Sequence, residues 1–440
     1  MNLSSGIVTK PSNLHLPTHY LMSSIQYSTS HLQRCTTSSN YNSSFKTITS
    51  SKRIEQYPPV SKAGIKDWDG LLDPLDDRLR SEILRYGKFV EAAYCCFDFD
   101  TSSLGYATCR YPRESMLSEC DLATSGYKVT RNLHATCGAA RLPAWTEDRV
   151  PRWAATRSAW VGYVAVCTDK CEIARLGRRD VVVAYRGTAT CAEWLENMRV
   201  ALTRLPDDMA HGDRESMVQS GFLSMYTARE GTRRSLQDSI REEIGKILEK
   251  YADEPISITV TGHSLGAALA ALTAYDIAGE FKHAPLVTVL SFGGPRIGNK
   301  NFRSQLEKIG TKVLRIVNSD DPITKVPGFV INEEECRRSK GGEEKKAAAA
   351  AAEGMWNWVQ KRVEETQWVY AEIGKELRLS SRDCPHLSNG GVATCHDLKT
   401  YLQLVDSFVS SNCPLRATAK KVLSRAHHQQ QDKQQEILCG

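Results

Sequence analysis

The chain has 440 residues, 41% of them apolar, enough to bury a sizeable core in one large domain or two ordinary ones. Its 57 Lys and Arg against 51 Asp and Glu give a net charge of +6, too small to imply a nucleic-acid partner. No stretch approaches the run of about 18 to 20 apolar residues that crosses a bilayer, so no transmembrane segment is expected and any membrane contact is peripheral.

Residues 1–54 stand apart in composition. They hold thirteen Ser, seven Thr and five Lys or Arg, with no Asp or Glu before Glu55. Organellar targeting segments are Ser-rich, basic and acid-poor, so this stretch reads as a plastid transit peptide and the chain is expected in the chloroplast. Without those five basic residues the remainder carries +1. A secretory signal is not expected, because no apolar run follows Met1.

From Trp68 to Phe99 the spacing of Leu75, Leu79, Ile83 and Phe89 or Val90 among charges predicts a helix. After Tyr127 short β-rich runs alternate with helical ones. Strands are expected at 160–166, 181–185, 256–261, 287–292 and 313–317, with a helix over 235–251. Alternation of this kind argues for an α/β class, with a mostly parallel sheet covered by helices on both faces. The main domain is placed at 55–415. Within it the charged, Ala-rich run 333–353 reads as a solvated loop, and 416–440, with its HHQQQ tract, as a disordered tail. The fourteen cysteines show no CxxC pair and no Cys/His set with zinc spacing, so they read as small core residues in a compartment that keeps thiols reduced. Neither a metal nor another cofactor is expected.

Gly262-His263-Ser264-Leu265-Gly266 matches the GxSxG pattern. Alone the match is weak. Its setting strengthens it: a buried-strand run precedes the serine and a small-residue helix follows, the strand-to-helix turn of the α/β-hydrolase fold. Such a turn strains the serine backbone and exposes its Oγ above the sheet, with glycines where side chains would collide with the neighbouring strand and helix.

A serine hydroxyl needs a histidine base, and the base needs an acid to hold its tautomer. In this fold the order is Ser, acid, His. Of the eleven histidines, those in the first 54 residues, in the tail, before Ser264, inside the turn, or before any acid are eliminated, leaving His386 and His396. His396 is favoured because it precedes a helix with Leu398, Leu402, Val405 and Val409 on one face. The acid is expected at the end of the strand 313–317, where both Asp320 and Asp321 stand.

These residues resemble the class 3 lipase family, and within it the plant plastid phospholipases of the A1 type. The resemblance runs from Trp68 to Pro414. It is carried by LLDPLDDRLRSEILRYGKFVEAAY (71–94), GRRDVVVAYRGTATCAEWLENMR (177–199), TGHSLGAALAAL (261–272), SFGGPRIGN (291–299), RIVNSDDPITKVPG (315–328) and CHDLKTYLQLVDSF (395–408). The family pattern sets the catalytic aspartate six residues before a proline, which with Pro327 implies Asp321. Asp320 then stands where the family usually has Asn. The resemblance also implies His396 as base and Thr188 with the Leu265 amide as the oxyanion hole. It further implies a lid within 190–215 that carries Trp194 and Leu195; here 193–205 could form an amphipathic helix with Met198 and Leu202 on the same face. One departure is Gln219, where such lipases usually have His.

The expected activity is a calcium-independent release of fatty acids from the sn-1 position of glycerophospholipids, with galactolipids and triacylglycerol as further substrates of the same class. A general carboxylesterase and a catalytically inactive lipid-binding module are the alternative readings of the same residues.

Overall fold

Five strands whose residues are buried almost without interruption form the middle of a seven-stranded sheet. A computed structural model describes residues 67–136, 158–188, 201–229, 231–281, 284–326, 370–384 and 392–410, all within one compact unit, residues 56–440. The strands are β1 (Tyr127–Thr136), β2 (Ser158–Cys167), β3 (Arg179–Tyr185), β6 (Ile256–His263), β7 (Val287–Phe292), β8 (Lys312–Asn318) and β9 (Lys375–Leu379), in spatial order β1-β2-β3-β6-β7-β8-β9. The pairs from β3 to β9 are parallel, and β1-β2 and β2-β3 are antiparallel. Two short strands, β4 (Leu202–Arg204) and β5 (Met217–Gln219), pair separately.

Alternate side chains divide between two cores. Val181, Val183 and Tyr185 of β3 join Ile258, Val260, Val287 and Val289 on one face, whereas Val182 and Ala184 join Leu290, Phe292, Leu314 and Ile316 on the other. Both faces are therefore apolar, as inner parallel strands require. The first face is covered by α2 (Ser220–Thr227), α3 (Leu236–Lys250) and α4 (Leu265–Glu280), and α5 (Lys300–Lys308) adds Phe302 and Leu306. The second is covered by α1 (Asp77–Cys95) and α7 (Leu398–Ser407), the latter preceded by the short α6 (Val392–His396). The mostly parallel sheet covered on both faces is as expected from the alternating pattern, and this is the α/β-hydrolase fold expected from the turn at Ser264.

The sequence and structure differ at several boundaries. The helix expected from Trp68 starts only at Asp77, because the Asp76 carboxylate caps the chain there and accepts from the N–H groups of Arg78 and Leu79. On α7 the buried residues are Leu398, Thr400, Tyr401, Leu404 and Val405; Val409, expected on that face, lies beyond the helix and is 60% exposed. The amphipathic helix expected over 193–205 does not extend to its end. Leu202–Arg204 is strand β4, because β5 offers ladder partners and Pro206 cannot continue a helix. Leu205, Met209 and Ala210 are then buried in the core. Residues 189–200, with Trp194, Leu195 and Met198, lie outside the described residues, as do 1–54, 333–353, His386 and the tail from 416. Among the described residues, no helix is long and apolar enough to cross a membrane.

The small side chains of α4 let it sit close to the sheet, and every residue from Leu265 to Ile277 is buried. Asp276 is buried with them, and burial raises its carboxyl above the ordinary range. Its oxygens accept from Arg241 Nη2 at 2.6 Å and from the Tyr226 hydroxyl at 3.0 Å. The helix that follows the candidate nucleophile is thereby tied to α2 and α3.

Candidate active site

Ser264 stands between β6 and α4 with φ 57° and ψ −124°. Positive φ in a residue with a Cβ costs free energy and persists only where its surroundings enforce it. Here the enforcement is tight packing. A Cβ on Gly262 would lie 2.3 Å from the Gly266 carbonyl oxygen, and one on Gly266 would lie 2.4 Å from the Arg186 carbonyl oxygen. Only glycine fits at either place. The Oγ was expected to be exposed, but Ser264 is 3% exposed, because Gly187 and His396 pack against it.

His396 ends α6, and its Nε2 is 2.8 Å from Ser264 Oγ. Its Nδ1 is 2.6 Å from Asp321 Oδ2. Asp321 is 0% exposed; its Oδ2 also accepts from the Tyr401 hydroxyl at 2.7 Å, and its Oδ1 accepts from the Ile323 N–H at 2.9 Å. With Nδ1–H donated to a carboxylate, which only accepts here, Nε2 is left to take a proton from the serine. The structure thus brings three of the expected residues into one hydrogen-bonded line. Asp320 turns away from it. Its carboxylate accepts from the Ser380 hydroxyl at 2.9 Å and pairs with Arg382 Nε at 2.9 Å.

Four supporting residues carried no signal in the sequence beyond their motifs. Asn318, at the end of β8, donates from Nδ2 to the Cys395 carbonyl at 2.9 Å and to Ser381 Oγ at 2.7 Å, which pins α6 in place. Tyr401 on α7 braces Asp321. His263 is buried, and burial, together with the neighbouring His396, holds its pKa well below the ordinary value, so the ring is neutral. Its Nε2 is 2.7 Å from the His396 carbonyl oxygen. A carbonyl only accepts, so Nε2 carries the hydrogen, and Nδ1 accepts from the Tyr94 hydroxyl at 2.7 Å. Tyr94 in turn accepts the Gly187 N–H at 2.9 Å.

The expected oxyanion residues sit on either side of this network. Thr188 follows Gly187, three residues beyond the end of β3, and is half-buried. Leu265 heads α4, where the first N–H groups have no acceptor four residues back and the helix dipole favours negative charge. Gln219 is buried and caps α2, accepting the Phe222 N–H at 2.6 Å, so at this position its role is structural.

The family model for "Lipase (class 3)" matches residues 182–331, from β3 past Asp321. A chain of Arabidopsis thaliana named "Phospholipase A(1) DAD1, chloroplastic" is 61% identical over 367 residues, covering 82% of this chain and 79% of that one. The chain belongs to the class 3 lipase family. Another Arabidopsis thaliana relative, "Galactolipase DONGLE, chloroplastic", is 38% identical over 358 residues, covering 78% of this chain and 68% of that one. Among solved structures, a Rhizomucor miehei lipase propeptide complex aligns with 76% of this chain and 81% of its own, at 15% identity and a TM-score of 0.44.

In this class 3 lipase, replacing Tyr401 by Phe tests the support of the acid. The change keeps the buried ring and removes the hydroxyl that meets Asp321. A hydrogen bond to a charged group contributes roughly 1.5 to 3 kcal/mol, so the turnover rate should fall by about one to two orders of magnitude while the melting temperature moves by a few degrees. An unchanged rate would remove Tyr401 from the site.

Proposed function

We propose that Ser264, His396 and Asp321 carry out acyl hydrolysis, and that the physiological bond is the sn-1 ester of a glycerophospholipid in the chloroplast. The observation that carries this reading is the continuous hydrogen-bonded line from Asp321 through His396 to a serine on a strained strand-to-helix turn. His396 Nε2 takes the Ser264 proton as Oγ attacks the ester carbonyl. The N–H groups of Thr188 and Leu265 receive the developing oxyanion. His396 then protonates the departing lysolipid oxygen, activates a water, and the fatty acid leaves. The relatives named as phospholipase A1 and galactolipase support a diacyl lipid substrate, with galactolipids and triacylglycerol in the same class. Contact with the membrane is peripheral. Residues 1–54 act as the transit peptide; a reporter fused to them should enter plastids, and one left in the cytosol would refute that assignment.

The deciding experiment offers the purified protein separate dispersions of phosphatidylcholine, monogalactosyldiacylglycerol and triacylglycerol beside a soluble short-chain ester, and identifies the released acyl position. Fast sn-1 release from the dispersions is expected. A protein equally fast on the soluble ester, with no preference for dispersed lipid, would be a general esterase; one that does not react with a fluorophosphonate would be an inactive module. Trp194 and Leu195 are assigned to a lid that exchanges protein contacts for lipid ones. Replacing both with Ser removes roughly 1.5 to 3 kcal/mol of burial per side chain from the state they anchor. Activity should fall on dispersed lipid and hold on the soluble ester. Equal losses on both, with a lowered melting temperature, would make them core residues instead.

A further inference from the structure

Four thiols converge where α1 ends. Cys95 is the last residue of the helix and Cys96 its cap, and Cys109 and Cys120 come from the chain that follows. The Cys96 and Cys120 sulfurs are 3.2 Å apart. The Cys95 thiol hydrogen-bonds toward Cys120, and the Cys96 thiol toward Cys109. All four are free, and among the described residues no group of His, Cys, Asp or Glu is arranged to hold a metal ion. Core packing accounts for Cys96, which is buried, but Cys95 is exposed and Cys109 and Cys120 are half-buried, so solvent reaches the group.

The same turn of chain supports the oxyanion side of the site. Tyr94, two residues before Cys96, accepts the Gly187 N–H and donates to His263. Phe97, one residue after it, lies under the Arg186 guanidinium at 3.5 Å from the ring centre, and Arg186 Nη1 donates to the Gly187 carbonyl at 2.6 Å. Cys96 is thus flanked by the two residues that hold Arg186 and Gly187, and Thr188 is next in the chain. A closing of about 1.2 Å would bring the two sulfurs to the ~2.05 Å of a disulfide bond, and any shift of Cys96 in closing it passes along the chain to Tyr94 and Phe97.

We infer that Cys96 and Cys120 form a reversible disulfide that switches the hydrolase between a reduced, active form and an oxidised, slow one. The hydrogen bonds it receives from Cys95 and Cys96 hold the Cys120 thiol well below the ordinary value, which favours the nucleophilic thiolate. With glutathione disulfide as the oxidant, the Cys120 sulfur attacks one glutathione sulfur; the mixed disulfide forms and one glutathione leaves as thiolate. Cys96 gives up its proton and attacks the Cys120 sulfur. The Cys96–Cys120 bond forms and the second glutathione leaves. Two protein thiols lose two electrons and one glutathione disulfide becomes two glutathione thiols.

The effect on rate rests on the proposed acyl hydrolysis, whereas formation of the bond does not, so both are measured on the full chain. The protein is equilibrated with graded ratios of glutathione to glutathione disulfide, alkylated, digested and sequenced by mass spectrometry, with short-chain ester hydrolysis followed in parallel. A peptide linking Cys96 to Cys120 should appear as the rate falls about tenfold, less than the 10² to 10³ that follows outright loss of an oxyanion donor. Dithiothreitol should reverse both. Cys120→Ser should keep the reduced rate and become insensitive to glutathione disulfide, and Cys95→Ser should remain sensitive. Absence of the linked peptide, a linked peptide with an unchanged rate, or a Cys120→Ser enzyme that slows as the parent does would each overturn the switch. A reduced protein that forms the disulfide but hydrolyses no ester would instead overturn the proposed reaction.

Discussion

Ser264→Ala should lower turnover by about 10⁶, the scale on which removing a triad nucleophile acts in serine hydrolases. The fold should persist. The hydroxyl lost is bound to His396 Nε2, while the backbone of the turn is held separately, the Ser264 N–H by the Phe292 carbonyl at 3.0 Å and the Ala267 N–H by the Ser264 carbonyl at 3.0 Å. Melting temperature and circular dichroism should therefore match the parent while ester hydrolysis and fluorophosphonate labelling vanish together. A variant that kept even a hundredth of the parental rate with an intact fold would remove Ser264 from the chemistry. That outcome would leave the family assignment standing and only the mechanism in error.

Two adjacent carboxylates should separate by an equally legible margin. Asp321→Asn should cost about 10⁴ in turnover, because an amide that donates toward His396 Nδ1 selects the tautomer whose Nε2 cannot accept the serine proton. It also weakens the hydrogen bond from Tyr401 at a place with no access to water. Asp320→Asn should leave the rate within about twofold, since its partner Arg382 is largely exposed and surface pairs of that kind contribute only ~0 to 1 kcal/mol to stability. Measuring both variants on a soluble ester avoids any contribution from lipid binding. If Asp320→Asn were the damaging change, His396 would have to pair differently in the working enzyme from the arrangement found here.

The interior strands and the nucleophile turn were legible because their causes are local. A run such as Val181-Val182-Val183-Ala184-Tyr185 has no polar face and must be buried on both sides. Gly262 and Gly266 flank the serine because each meets backbone within five residues of itself or on the adjoining strand. Helix starts were less legible. Apolar spacing carried the expected first helix back to Trp68, which is buried outside any helix, while the decisive feature was one carboxylate, Asp76, satisfying two N–H groups. The end of the helix expected over 193–205 was misread for the related reason that Leu202 and Leu205 fit either period, and only the partner strand β5 settled which.

Sequence by itself therefore determined the α/β layering, the serine on its turn and the order of serine, acid and histidine along the chain, since side-chain period, glycine placement and order are properties of neighbouring residues. The chemistry of the residues left Asp320 and Asp321 open and the family spacing to Pro327 implied Asp321; tertiary structure showed Asp321 facing His396 and decided which residues surround the pair. Asp320 and Asp321 are chemically equal, and the end of β8 had to be built before one pointed to Tyr401 and the other to Arg382. Tyr94 and His263 are 169 positions apart, Ser264 and His396 132, and Asp321 and Tyr401 80. Contacts at that separation depend on the register of every strand between them; chain order and the family motifs pointed to Ser264 with His396, whereas no local pattern pointed to Tyr94 with His263 or to Tyr401 with Asp321.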